Sequence, residues 1–346
     1  MGGSFWLVTR IVAILLGAAA LLFAPPPAWV DTAYANGIYP VWQRAIAPIS
    51  GAFPWSLGDL AGLLAVGLIA WRVVALRDWR ALVDALAILA LFAVWFEVAW
   101  GWNYQRSPVE TRMQYDAARV NPQAADALRA RAMAEMNALA PAAHARASEP
   151  LDLGALAFSW TPVVRRAGND WTPIVSAPKP TIADPFMNAT GTSGFINPFF
   201  LTVQLASDLL WFERPFALSH EWSHVAAYAR EDEANYFAIL TCLRSKDPAV
   251  RYSGWFELFT YLPPKAHYER SDFVPLVWED FRALQERNAR HINVSLAHFS
   301  WGAYNQYLKT NRIAAGVTNY DEVTRLMLGI PLDSDGLPVA RAATPR

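Results

Sequence analysis

A mostly α-helical chain, with three N-terminal transmembrane helices followed by an α+β globular domain, is predicted by three observations. Apolar residues make up 54% of the 346 residues and charged residues only 17%, too apolar for an ordinary soluble protein. That excess is concentrated before residue 102, in three runs long enough to cross a bilayer. Beyond residue 103, helical periodicities are interrupted by a Pro-cut stretch at 151–185 and a β-rich stretch at 192–205.

The membrane region therefore occupies 1–102, with spans at about 5–23, 57–74 and 82–100. Pro25-Pro26-Pro27 stops the first run, and Arg10, near its start, is expected to snorkel to the headgroups. Ala18-Ala19-Ala20 would suit a signal-peptide cleavage site, but the run is longer than a usual signal h-region, which favours an anchor. Asp84 and Glu97 lie near the two ends of the third run and are expected at the interfaces, the latter with the aromatic cluster Trp95, Phe96, Trp100, Trp102 and Tyr104. The loop between the second and third runs carries Arg72, Arg77 and Arg80 against Asp78. The positive-inside rule places it in the cytoplasm and everything after Trp100 outside. The first loop, 24–55, is rich in Pro, Trp and Tyr, and its Tyr34, Tyr39 and Trp42 suit packing against the external domain better than chemistry.

The extracytoplasmic domain spans 103–331, followed by a tail at 332–346 expected to be disordered. Asn121 as N-cap and Pro122 at the first helical position open a helix to about Leu139. The prolines between 151 and 185 predict short extended pieces that shape a cleft. Residues 192–205 read as extended chain; Pro198 inside them argues for an exposed edge, with a buried connector as the alternative. Helices are expected at 274–295, 299–309 and 319–328.

The chemistry is carried by His220-Glu221-Trp222-Ser223-His224. This H-E-x-x-H on a helix puts two imidazoles on one face, one turn apart, where both can bind one Zn²⁺ and Glu221 can serve as base. A third ligand is needed. Glu231 lies seven residues past His224, roughly 10 Å too far along a continuous helix, so the helix must end between Ala226 and Arg230 and the chain must turn back, although no Gly or Pro marks that turn. Glu233 is the alternative ligand. A second helix is expected from Glu231 to about Leu243. His144, His291 and His298 read as surface or capping residues. Tyr261, His267 and Tyr268, on or beside the loop after the zinc helices, are candidates to donate to a developing oxyanion, with a structural role as the alternative. Net charge of −1 offers no footprint for nucleic acid, and the single Cys242 rules out an intrachain disulfide framework.

Glu231-Asp232-Glu233-Ala234-Asn235 resembles the E-x-x-A-D or E-x-x-A-N element of gluzincin metallopeptidases, similar to Ste24/HtpX-like and ImmA/IrrE-like proteases. The resemblance implies a zincin-like metallopeptidase domain with Glu231 as third zinc ligand and Asn235 supporting a ligand histidine. The layout of three spans, an external domain and this motif also resembles an uncharacterised bacterial domain-of-unknown-function family of zincin-like membrane proteins. That likeness includes Tyr307–Asn311 and the turn at Gly316–Tyr320. The spacer between His224 and Glu231 is shorter than in the named proteases. The expectation is a membrane-anchored zinc metallopeptidase acting on a peptide or protein substrate in the envelope. The alternatives are a zinc-binding, non-hydrolytic scaffold and an assembly protein with a chance motif.

Overall fold

The computed structural model describes residues 2–262, 269–310 and 320–341. Helix α1 (Gly2–Leu22) is followed by α2 (Pro27–Trp29), a π-helix at Val30–Ile38, α3 (Tyr39–Gly51), α4 (Leu57–Leu76) and α5 (Trp79–Ala99). Three stretches, Phe5–Leu22, Leu57–Leu76 and Trp79–Ala99, are long and apolar enough to cross a membrane. Their outward Leu and Val side chains, such as Leu15, Leu64 and Leu82, lack protein cover, which suits lipid rather than water.

Two charges expected at the membrane boundary, Arg10 and Asp84, pair with each other. Asp84 is buried and accepts from Arg10 Nε at 2.9 Å, from Trp6 Nε1 at 3.2 Å and from Arg72, so α1, α4 and α5 are joined by one charge cluster. A charge on an apolar helix is least costly where a neighbouring helix supplies its counter-ion. The 24–55 segment is not a loop. Tyr34 and Tyr39 are fully enclosed on the buried face of the π-helix and α3, and Trp42 is half-buried beside them.

The remaining chain forms α6 (Pro122–His144), α7 (Leu153–Arg166), α8 (Asp184–Thr190), a hairpin of β1 (Gly194–Asn197) and β2 (Thr202–Leu205), then α9 (Arg214–Val225), α10 (Glu231–Arg244), α11 (Pro248–Tyr261), α12 (Pro275–His291), α13 (Val294–Thr310) and α14 (Tyr320–Gly329). Asn121 caps α6 by accepting from Ala124 N at 2.9 Å, as its sequence predicts. In the first half of the stretch expected to be extended, α7 forms instead, while 172–181 has no regular secondary structure. Asp152 caps α7, and the buried stripe Leu156, Trp160, Val163 and Val164 outweighs the helix-breaking tendency of Pro162. The helix expected over 274–295 stops at His291, and Asn293 N turns to Ala189 O.

The hairpin replaces a single expected strand because Pro198 sits in its turn. Asn197 Oδ1 accepts from Phe199 N and Phe200 N, closing an Asx turn, and Gly194 pairs with Leu205 across the ladder. Of the tail expected to be disordered, the part as far as Arg341 is placed: Met113 bridges Ala340, and Leu332 bridges Pro338. One large apolar cluster, including Trp160, Trp222, Tyr228, Phe237 and Phe256, binds α7, α9, α10 and α11 together. Its Trp160–Trp222 pair is edge-on at 5.7 Å. The two helices that carry the candidate ligands, α9 and α10, are thus held on a rigid base.

Candidate metal centre

Helical spacing brings His220 and His224 onto one face of α9, and their Nε2 atoms lie 3.0 Å apart. The helix ends in a Schellman turn: Tyr228 N bonds to Ser223 O at 3.1 Å and Ala227 N to His224 O at 3.0 Å. The residue that this motif needs in the left-handed region is Ala227, at φ 72°. An alanine there costs roughly 1–2 kcal/mol, and the surroundings impose it. Side chains take each carbonyl from 224 to 228 in turn. Trp100 Nε1 donates to His224 O, Tyr39 Oη and Gln43 Nε2 to Val225 O, Asn169 Nδ2 to Ala226 O, Arg106 Nη1 to Ala227 O and His224 Nδ1 to Tyr228 O. The turn that the sequence required, and did not signal by Gly or Pro, is built by donors from four distant segments. Ala227→Val, which places a β-branched residue at positive φ in a fully buried site, is expected to lower the thermal midpoint of the detergent-purified protein by several degrees.

The turn delivers Glu231 at the start of α10. Its Oε2 lies 3.2 Å from His220 Nε2 and its Oε1 3.6 Å from His224 Nε2. Tyr304 Oη, from α13, donates to the same carboxylate. Each imidazole is fixed from behind. His224 Nδ1–H donates to Tyr228 O at 2.7 Å and His220 Nδ1–H to Asn235 Oδ1 at 2.7 Å. Because both acceptors are oxygens, both rings carry their proton on Nδ1 when neutral and present bare Nε2 atoms to the space they share.

Glu233 is not part of this group. It is buried, accepts from Val109 N at 2.8 Å and lies 3.7 Å from Arg230, on the far side of α10. Burial, together with the neighbouring Asp232, pushes its carboxyl up to about 7. His267 and Tyr268 lie outside the described residues, as do residues 311–319. Tyr261 lines the cavity over the site. His144 faces Asp280 at 2.9 Å, in a structural contact.

Electrostatics set the group apart. Burial alone would lower the His224 pKa, yet the adjoining Glu231 carboxylate raises it to about 9. Burial would raise Glu231, and the two imidazoles hold it well below the usual carboxylate range. Burial raises Glu221, which is only 5% exposed and whose Oε2 has no hydrogen-bond partner. A buried orphan carboxylate oxygen is costly unless something is meant to meet it. Glu221 borders a cavity of about 510 Å³ whose walls are largely apolar, among them Phe96, Trp100, Phe186 and Trp301. Gly194 packs closely against this carboxylate: a Cβ at 194 would stand 2.8 Å from Glu221 Oε1.

The donor set fits a metal ion. Tetrahedral ligands at bonds of about 2.0–2.1 Å are separated by roughly 3.3 Å, and the three donors stand 3.0, 3.2 and 3.6 Å apart. Among the described residues, His220, His224 and Glu231 form the group of metal-ligating side chains. Sequence reasoning missed Tyr304, Trp100 and the carbonyl donors. None of them carries a spacing signal relative to the motif.

No curated protein and no solved structure matches the chain. The model of one family, described as "Protein of unknown function (DUF3810)", matches residues 34–328. That match begins in the π-helix and ends within α14, with His220, His224 and Glu231 inside it, so the chain belongs to the DUF3810 family.

Proposed function

We propose that this chain is a membrane-anchored zinc metallopeptidase with a zincin-like domain at 103–331 facing the outside of a bacterial inner membrane. The observation that carries this reading is the convergence of His220 Nε2, His224 Nε2 and the Glu231 carboxylate within 3.6 Å of one another, beside the unpartnered oxygen of Glu221. Three N,O donors with an open position is the arrangement of a catalytic rather than a structural zinc. Zinc, when bound, supplies a Lewis acid that lowers the pKa of a water nucleophile and polarises a carbonyl.

The residues of the chain supply the rest. Glu221, raised by burial toward the range useful for proton exchange, takes the proton from the attacking water and returns it to the departing amine. Asn235 and the Tyr228 carbonyl hold the two imidazoles in the ligating tautomer. β1 pairs with β2 alone among the described residues, leaving its cavity edge for an extended peptide to join by main-chain hydrogen bonds. A non-hydrolytic scaffold would close its zinc with a fourth protein ligand and have no use for a buried base facing a cavity.

Metal removal tests the reading. Zinc-loaded protein in detergent is expected to cleave unfolded casein, to lose that activity on chelation by phenanthroline and to regain it with added Zn²⁺. Cleavage undiminished by chelation overturns the proposal. Asn235→Ala is expected to weaken zinc binding by about 10–100-fold, read by competition with a chromogenic chelator, with folding unaffected.

A further inference from the structure

We infer that the substrate is the juxtamembrane segment of a polypeptide anchored in the same bilayer, with its membrane span N-terminal to the bond that is cut. The inference rests on the zinc-peptidase reading and on α4 and α5 crossing the membrane. It comes from where β1 begins and where it ends.

The strand begins at the base. Gly194 lies against Glu221, so close that a Cβ there would stand 2.8 Å from its Oε1. Its last residue, Asn197, lies against Gly58 at the head of α4, where a Cβ would overlap the Asn197 side-chain amide. Just beyond it, Phe199 packs on Trp95 at 4.8 Å and on Phe92 at 5.6 Å, and Phe200 packs on Trp95 at 5.4 Å. Phe92 lies seven residues before the end of α5, roughly 10 Å into the span. The hairpin tip therefore reaches membrane depth, and β1 runs from the bilayer boundary to the candidate base over about 10 Å.

The cavity is continuous with this path. Phe96 and Trp100, in the last turn of α5 and just after it, form part of its wall. A peptide that extends the antiparallel hairpin along the cavity edge of β1 runs opposite to it, from Asn197 toward Gly194. Its N-terminal end stays at the membrane, and it presents to Glu221 a bond about three to five residues beyond its own span. The reaction is ordinary hydrolysis: the C–N bond breaks, the hydroxyl of water ends on the acyl carbon, and the remaining proton ends on the released amine.

The test uses the full chain, zinc-loaded, in lipid nanodiscs. Three pools of the same randomised decapeptides serve as probes: one joined to the C-terminal end of a synthetic Leu/Ala transmembrane helix, one joined to the N-terminal end of that helix, and one free in solution. Cut sites are mapped by mass spectrometry, with Glu221→Gln as the control. The two anchored pools share one effective concentration, so a difference between them reads chain polarity. The expected result is at least tenfold more cleavage in the pool whose anchor precedes the decapeptide. Its cuts should stay at a fixed distance from the helix when a five-residue spacer is inserted. Equal cleavage of all pools, preference for the opposite anchor, or cuts that ignore the spacer would overturn the inference and leave the peptidase reading standing. Absence of cleavage in every pool by zinc-loaded protein overturns the peptidase reading, and this inference with it.

Discussion

Glu221→Gln is expected to lower hydrolysis by about 10²–10⁴-fold, the usual contribution of a general base, while zinc content and thermal stability stay at wild-type levels. Glutamine keeps the volume and the contact with Gly194, so the strand should not move. It removes the ability to take and return a proton, which is the one role assigned to this side chain. The Glu221 Oε2 atom already lacks a partner in the folded chain, so replacing it breaks no hydrogen bond that holds the fold. Casein cleavage and zinc content measured on the same preparation separate the outcomes. Activity retained by the variant would remove Glu221 from the mechanism.

Glu233→Ala is expected to act on the fold instead, at a cost of about 3 kcal/mol, seen as a lower thermal midpoint. Its carboxylate satisfies Val109 N and sits beside Arg230, in a position with almost no solvent. Truncation leaves that amide buried without an acceptor. It also leaves Arg230 with Asp232 and Glu322 as its remaining carboxylate partners. Unchanged stability would mean that the network around Val109 closes without it.

The contrast between these two glutamates shows what the sequence carried. Periodicity places His220 and His224 on one face, because 3.6 residues per turn is a local rule. It also identifies the second helix and the three apolar runs. The turn between His224 and Glu231 obeys no local rule. Its left-handed residue is an alanine, held there by hydrogen bonds from Tyr39, Gln43, Trp100, Arg106 and Asn169, all at least 55 positions away in the chain. The aromatic 24–55 segment was legible as packing, but not as the support for that turn. Pro162 and Pro198 misled in opposite ways. The first sits inside a helix whose buried face outweighs it, and the second marks a hairpin turn rather than a strand interior. Tyr304 reaches Glu231 from α13, 73 positions away, through tertiary contact alone.

Zinc per chain is the most direct test of the central claim. It is to be measured by elemental mass spectrometry on full-length protein purified in detergent with zinc present, for wild type, Glu231→Ala and Glu233→Gln side by side. The geometry predicts about one zinc in wild type and in Glu233→Gln, and close to none in Glu231→Ala, whose carboxylate completes the three-donor set. A wild-type chain without zinc, or zinc lost with Glu233 and kept without Glu231, would contradict the account.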